Sequence, residues 1–274
     1  MEQVNKIDKI NEIDNNFPDD TLILYAYYEN REKNKETVGN SREYKNLKFL
    51  LKYGNIKKEN IVIVIHYDKK GNISNYSLPD FIPENIKVIK KENHGYDFEA
   101  WYHGLKEVSL DNYKHFVFIN SSCVGPILPV WFENMNIHWI RCFTNFLNEK
   151  IKLVGCTKNY EISEHIQSYF WCCDRIVLDI LINSNILEEN NGYDFNGTIL
   201  NKEIKMTQII KQNNYEIKSI SMNSLLNIEH GNINMNNRYY NTTINPLEII
   251  FYKNNSIDTD ITKLYLTALN YKYM

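Results

Sequence analysis

The chain has 274 residues, with 31 Lys and Arg against 34 Asp and Glu, a net charge of −3, and no basic tail or stripe. That length supports one large domain or two small ones around a core that folds without staples, and the even charge balance argues against nucleic acid as a partner. Five cysteines, at positions 123, 142, 156, 172 and 173, form no CxxC pair, which points to reduced, mostly buried thiols in a cytoplasmic protein. No apolar run reaches the ~18 residues that span a bilayer, and the polar, acidic N-terminus does not read as a secretory signal. The expectation is a soluble chain with no transmembrane segment.

Residues 1–20 are polar and end in Asn15-Asn-Phe-Pro-Asp-Asp20, a lead before a domain expected over 21–274. Thr21-Leu-Ile-Leu-Tyr-Ala-Tyr27 reads as a first strand, followed by a charged loop from Glu29 to Arg42. Between Tyr44 and Tyr53, Leu47, Leu50 and Leu51 have helical spacing, and Gly54 stops the helix. Ile61-Val-Ile-Val-Ile65 is a strand buried on both faces, closed by Asp68-Lys-Lys-Gly71. Ile86-Lys-Val-Ile89 is a third strand, Asp97 to Val108 a helix, and Phe116-Val-Phe-Ile119 a fourth strand. This alternation predicts a mostly parallel sheet covered by helices.

Further strands are expected at Ile151–Gly155 and Ser168–Cys173, with helices over Ile176–Leu181 and over Glu203–Lys211, the latter with Met206, Ile209 and Ile210 on its apolar side. Asn190-Asn-Gly192 and Asn196-Gly197 mark a loop, and a polar run from Asn227 to Asn241 precedes Leu247-Glu-Ile-Ile-Phe-Tyr252. With no internal repeat and no long linker, the expected architecture is a single α/β domain with an irregular C-terminal third.

The fourth strand ends abruptly in Asn120-Ser-Ser122, and Gly125-Pro126 then turns the chain away. In an open α/β sheet ligands bind at the carboxyl ends of such strands, although a polar turn alone produces the same pattern. Glu92-Asn-His-Gly-Tyr-Asp97 links a strand to a helix, so the backbone at Gly95 can approach a ligand and the helix N-terminus can meet an anion, while Asp97 equally reads as the N-cap. His165-Ile-Gln-Ser168 groups an imidazole, an amide and a hydroxyl that suit a polyol or a structural network. Glu203 falls in the first turn of its expected helix, where the dipole stabilises a carboxylate. Asp258-Thr-Asp260 has the spacing of a carboxylate clamp and also reads as a solvated helix start. Without HExxH, CxxC, EF-hand, Walker, GxGxxG or GxSxG patterns, the usual metal, nucleotide-hydrolase, dinucleotide and acyl-transfer signatures are missing.

Four segments in order resemble the GT-A-fold glycosyltransferases, and within them the rhamnan-synthesis-F-like group, from about Leu22 to Lys253. Glu92-Asn-His-Gly-Tyr-Asp-Phe-Glu-Ala-Trp101 is similar to that group's Asn-x-Gly-x-Asp-Phe-Gly-Ala motif, with Glu99 where Gly is usual. Phe116-Val-Phe-Ile-Asn-Ser-Ser-Cys-Val-Gly-Pro126 resembles its strand and Gly-Pro turn, and His165-Ile-Gln-Ser-Tyr-Phe170 its His-x-Gln-Ser segment. Asn245-Pro-Leu-Glu-Ile-Ile-Phe-Tyr-Lys253 resembles a motif that begins His-Pro, with Asn245 in place of the His.

The resemblance implies a GT-A-like, Rossmann-like fold, a UDP-, GDP- or dTDP-sugar donor and a glycan or lipid-linked acceptor. It divides the domain into a nucleotide-sugar half, about 21–125, and an acceptor half, about 126–274. Donor contacts are expected from Tyr25, Asn93, Gly95, Asp97, Asn120, Ser121 and Ser122, and sugar or acceptor contacts from His165, Gln167 and Ser168. Many GT-A enzymes carry Asp-x-Asp where this chain reads Asn120-Ser-Ser122; neutral side chains are poor Mg²⁺ or Mn²⁺ ligands, so metal use is doubtful and no metal ligand is assigned. The Arg that many relatives place after the third strand is replaced by Trp101. Lys202-Glu203 followed by Asn214-Tyr215 resembles the family's acidic-pair motif, with Lys202 in place of one acid, which makes Glu203 the implied base of an inverting hexosyl or deoxyhexosyl transfer, with Asp174 as the alternative base. Burial against an apolar wall would raise the Glu203 pKa toward the working range. A catalytically silent glycan- or nucleotide-sugar-binding domain is the alternative reading.

Overall fold

Strands whose side chains are apolar on both faces need cover on both faces. The computed structural model, which describes residues 16–29, 41–67, 81–135, 137–189, 192–222, 231–235 and 237–253, supplies it with two helical and loop layers around a seven-stranded sheet. The sequence expectations at Asp68–Gly71 and Asp258–Asp260, most of the lead, and parts of the two loops lie outside the described residues.

In chain order the elements are β1 (Thr21–Tyr28), α1 (Arg42–Tyr53), β2 (Ile61–Tyr67), β3 (Lys87–Glu92), α2 (Tyr96–Lys106), β4 (His115–Asn120), β5 (Cys123–Val124), α3 (Arg141–Thr144), β6 (Ile151–Gly155), β7 (Lys158–Asn159), β8 (His165–Ile166), β9 (Phe170–Asp174) and α4 (Arg175–Asn183). They continue with α5 (Phe195–Thr198), a π-helical segment (Ile199–Ile204), α6 (Lys205–Gln212), β10 (Glu216–Ser219), α7 (Pro246–Ile249) and β11 (Tyr252–Lys253). The sheet order is β10-β6-β9-β4-β1-β2-β3. β1 pairs parallel with β2 and β4, β2 with β3, and β6 with β10, whereas β9 is antiparallel to both β4 and β6. The expected mixed, mostly parallel α/β sheet flanked by helices is therefore the observed one.

Side-chain parity along β1 builds two cores. Ile23, Tyr25 and Tyr27 join the cluster of Leu47, Leu50 and the C-terminal Phe251, and Leu22, Leu24 and Ala26 join Phe98, Trp101, Leu178 and Met206 on the other face. Adjacent Cys172 and Cys173 divide between the same two clusters, and all five cysteines are unpaired thiols. Trp101 lies wholly inside, edge-on to Phe98, Phe118 and Trp171, with its Nε1–H given to the Ile119 carbonyl at 3.2 Å.

Some boundaries differ from expectation for physical reasons. Asp97 is not the N-cap of α2: Gly95 occupies that position, and the Tyr96 N–H is taken by Asn93 Oδ1 at 3.1 Å. Glu203 is not in a first turn, because its helix starts at Phe195, capped by Asp194, and passes through the π segment before α6. The Leu247–Tyr252 segment divides into α7 and β11, the latter pairing antiparallel with β5.

Gly125, just past β5, lets the C-terminal segment close on the sheet. A Cβ there would lie 2.5 Å from Phe251 Cδ1 and 2.7 Å from the Ile250 carbonyl oxygen. Phe251 is itself clamped between Phe170 and Trp139, so neither neighbour can give way cheaply. Gly125→Ala is expected to cost about 1–3 kcal/mol of folding stability, read from urea unfolding; an unchanged midpoint would show that the segment can shift freely.

Candidate functional site

The carboxyl ends of β1 and β4 and the start of β9 meet at one edge of the sheet, because β9 runs against its neighbours. Over that edge lies a cavity of about 540 Å³, within the range of small-molecule sites. Its walls include Tyr28, Tyr96, Asp97, Asn120, Ser121, Ser122, His165, Gln167, Ser168, Phe195 and Glu203.

The floor is the turn after β4. Asn120 donates from Nδ2 to Asp97 Oδ2 at 2.7 Å, and its Oδ1 accepts from the Ser122 N–H at 3.0 Å and the Ser122 hydroxyl at 2.6 Å. The Ser121 hydroxyl accepts from the Tyr28 N–H at 3.2 Å and donates to the Tyr28 carbonyl at 3.1 Å. From α1, Asn46 Nδ2 donates to the Ser121 carbonyl at 2.9 Å. Sequence-predicted Asn120, Ser121, Ser122 and Asp97 are thus brought together, and their mutual bonds fix the turn.

The opposite wall is built by the β7–β8 hairpin and the π segment. Glu203 Oε2 accepts from the Ser168 N–H at 2.9 Å and from the Ser168 hydroxyl, and Oε1 lies 3.2 Å from His165 Nε2. His165 Nδ1 is 2.7 Å from the Ser163 carbonyl, which can only accept, so Nδ1 carries a proton and Nε2 meets the carboxylate well only as an imidazolium. Gln167 lines the cavity, but its carbonyl oxygen accepts from Thr157 Oγ1 at 2.8 Å and from Asn234, which ties the hairpin to the 231–235 segment. A π-helical turn displaces a side chain from α-helical phase and is often found at functional sites; here Lys202 pairs with Glu188 beneath the surface while Glu203 faces the cavity.

Four predicted residues lie elsewhere. Tyr25 is 1 % exposed within the α1-side core; it sits below the sheet edge, which β1 reaches only at Tyr28. Asn93 and Gly95 shape the start of α2 and do not line the cavity. Asp174 ends β9 opposite His115 at the start of β4, a strand length of roughly 13 Å from the cavity edge. It caps α4 through the Val177 N–H at 3.1 Å and pairs with Lys152 at 2.5 Å, so it is a structural cap and not a base for this cavity.

Sequence reasoning also missed lining residues. Tyr28 lies one position past the expected end of its strand, and Arg42 ends the stretch expected as a charged loop from Glu29. Lys253 is the last residue of the C-terminal segment quoted above and enters the cavity because β11 pairs with β5, with Lys253 opposite Cys123. Phe195, 64 % exposed, forms an aromatic rim with Tyr96 at 6.1 Å.

Two of the cavity carboxylates, Asp97 and Glu203, are driven apart. For Glu203, burial is the largest influence and would raise the pKa, but the hydrogen bonds from His165 and Ser168 and the Lys253 charge outweigh it and hold the carboxyl below its ordinary value. The expected upward shift is corrected accordingly. The same contact raises His165 above the usual imidazole value against the opposing effect of burial. Burial instead pushes Asp97 up to about 6, assisted by the Glu203 charge and only partly offset by Asn120 and Lys253.

A mostly parallel α/β sheet with a polar, carboxylate-bearing cavity over its strand ends defines a Rossmann-like α/β domain. The chain belongs to the rhamnan synthesis protein F family, whose model matches residues 62–267, and it is accordingly a glycosyltransferase-family protein. No curated protein sequence is significantly similar to it. Among solved structures, a 4-diphosphocytidyl-2C-methyl-D-erythritol synthase from Anaerococcus prevotii is 14 % identical with a TM-score of 0.42, covering 76 % of this chain and 88 % of that one. The catalytic domain of Drosophila β1,4-galactosyltransferase 7 with xylobiose is 8 % identical with a TM-score of 0.38, covering 73 % and 64 %. A mutant of that galactosyltransferase with manganese, UDP-Gal and xylobiose is likewise 8 % identical at 0.38, covering 89 % and 79 %. No helix among the described residues is long and apolar enough to cross a membrane.

Asp97 gives a stability test. Between about pH 4 and pH 6 the folded protein holds a proton that the unfolded chain has released, so Asp97 destabilises the fold as pH rises through that window. Asp97→Asn keeps an oxygen for Asn120 and removes the charge. It is expected to stabilise the protein at pH 7.5 by on the order of 2 kcal/mol, with the gain vanishing below pH 4; a variant equally stable at both pH values would contradict the shift.

Proposed function

We propose that the protein transfers a hexosyl or deoxyhexosyl unit from a UDP-, GDP- or dTDP-sugar to a hydroxyl of a glycan or lipid-linked acceptor, with inversion and with Glu203 as base. The observation that carries this reading is the convergence of Glu203, His165 and Ser168 with Asp97 and the Asn120–Ser122 turn on one cavity. The donor lies across residues of the 21–125 half and the acceptor against residues of the 126–274 half. Five unpaired thiols support a reducing, cytoplasmic setting.

In this scheme the acceptor oxygen attacks the anomeric carbon in line, the bond from that carbon to the diphosphate oxygen breaks, and the acceptor proton passes to Glu203. The carboxylate is ionised beforehand, as a base must be, and His165 holds it so. Because its basicity is low, proton transfer comes late, as the nucleoside diphosphate departs. Asp97 orients a donor hydroxyl, and Tyr96 and Phe195 offer aromatic faces to the apolar side of an acceptor sugar.

One observation favours a second assignment of the base: Asp97, at about 6, lies closer to the operating pH that makes a general base efficient. Another favours a silent binding domain, since Ser168 and His165 already occupy Glu203. A panel of UDP-, GDP- and dTDP-sugars followed by thermal shift and by product release separates these. The expected result is stabilisation by at least one donor, with turnover, and a Glu203→Gln variant that keeps the shift while kcat falls about 10²–10⁴-fold. Full turnover in Glu203→Gln with loss in Asp97→Asn would move the base to Asp97, and a shift without any turnover would favour the binding domain.

A further inference from the structure

A divalent cation is the usual partner of a donor diphosphate in GT-A enzymes, and the residues here do not fit one. The side chains at the strand end are an amide and two hydroxyls, and they are spent on one another: Asn120 Oδ1 on Ser122, and the Ser121 hydroxyl on Tyr28. Of the cavity carboxylates, Asp97 is engaged by Asn120, Glu203 by His165 and Ser168, and Glu161 by Asn232, while Glu43 gives one oxygen to Arg42 at 2.8 Å and keeps the other buried without a partner among the described residues. Among the described residues no group of three or more His, Cys, Asp or Glu is arranged to hold a metal ion.

We infer that Lys253 and Arg42, flanking the Asn120–Ser122 turn from two sides, bind the donor's diphosphate directly and do the electrostatic work that a metal ion does elsewhere. This rests on the nucleotide-sugar reading above. The two cations reach the turn by independent routes. β11 pairs with β5, which sets Lys253 beside Cys123, the residue that follows Ser122. α1 brings its N-terminal half to the same place, with Asn46 bonded to the Ser121 carbonyl and Arg42, the first helical residue, lining the cavity one turn earlier.

Two further observations point to an anion. Arg42 pairs with Glu43 through Nη2, but its Nε is buried with no acceptor among the described residues, an expensive state for a guanidinium donor unless a ligand completes it. Lys253 forms no ion pair among the described residues, yet its charge is felt at both Asp97 and Glu203. The other charged groups on the cavity wall are mainly acidic: Glu43, Asp97, Glu161 and Glu203. A dianion is therefore repelled from most of the wall and accepted beside the two cations, at the N-terminal end of α1, where the helix dipole adds to the attraction.

The test is calorimetric titration of the full chain with UDP, GDP, dTDP and the matching nucleosides, in EDTA and again with Mn²⁺. At least one nucleoside diphosphate is expected to bind in EDTA, with an affinity that Mn²⁺ changes by less than about twofold. Loss of one charge-assisted contact corresponds to about ten- to a hundredfold. Lys253→Met and Arg42→Gln are each expected to weaken the diphosphate by that factor, Lys253→Arg to restore most of it, and nucleoside binding to stay constant throughout. Melting temperatures of the variants separate lost binding from lost folding. Binding that appears only with Mn²⁺, or wild-type affinity in both Lys253→Met and Arg42→Gln, would overturn the inference and leave the nucleotide-sugar reading standing. No binding of any nucleoside diphosphate in either condition would remove both.

Discussion

The reversal of β9 is the constraint on which the site depends. β4 and β6 point the same way, and a strand inserted between them in parallel would deliver its end, Asp174, to the cavity edge. Running antiparallel to both, β9 instead delivers its approach, residues His165 to Ser168, and sends Asp174 to the far edge as a helix cap. The connection is consistent with this: a crossover to a parallel strand needs a dozen or more residues and usually a helix, and the residues between β6 and β9 are taken up by the β7–β8 hairpin and form no helix. The β7–β8 hairpin lies directly on the strand ends, so closely that a Cβ on Gly155 would meet Ile166 Cγ2 at 2.3 Å. Wall and sheet are consequently one unit, and Glu203 is fixed by contact with that unit rather than by its own helix.

The apolar strands were legible because burial on both faces leaves continuous runs, as in β1, β2 and β4. The polar strand end at Asn120–Ser122 was legible for the complementary reason, since polar residues that interrupt such a run must lie at an edge. What failed was phase and length. Tyr25 and Tyr28 are both tyrosines near the end of one strand, and only the extent of the β1–β2 pairing, to Tyr28 opposite His66, decides which one reaches the cavity. Asp97 has the composition of a cap, but Gly95 holds the N-cap position and Asn93 takes the Tyr96 N–H. The π segment around Glu203 leaves no mark in propensity; it follows from anchoring Lys202 below and Glu203 above at consecutive positions. Arg42 and Lys253 sit in locally polar sequence, and their convergence across more than two hundred residues is a product of pairing alone.

Lys253 links the two proposals electrostatically. Its charge lowers the proton affinity of both Asp97 and Glu203, so in the empty cavity it keeps Glu203 ionised and weakly basic. On the proposed assignment, an arriving diphosphate takes up that charge and adds negative charge of its own. Both changes favour the protonated form of nearby carboxylates, in a cavity where water screens less than in bulk. On that assignment Glu203 would become a stronger base only once the donor is seated, while the His165 contact would keep it from being protonated outright. A base weak without donor and strengthened by it holds the acceptor proton transfer until the leaving group is in place, which is the order the chemistry needs.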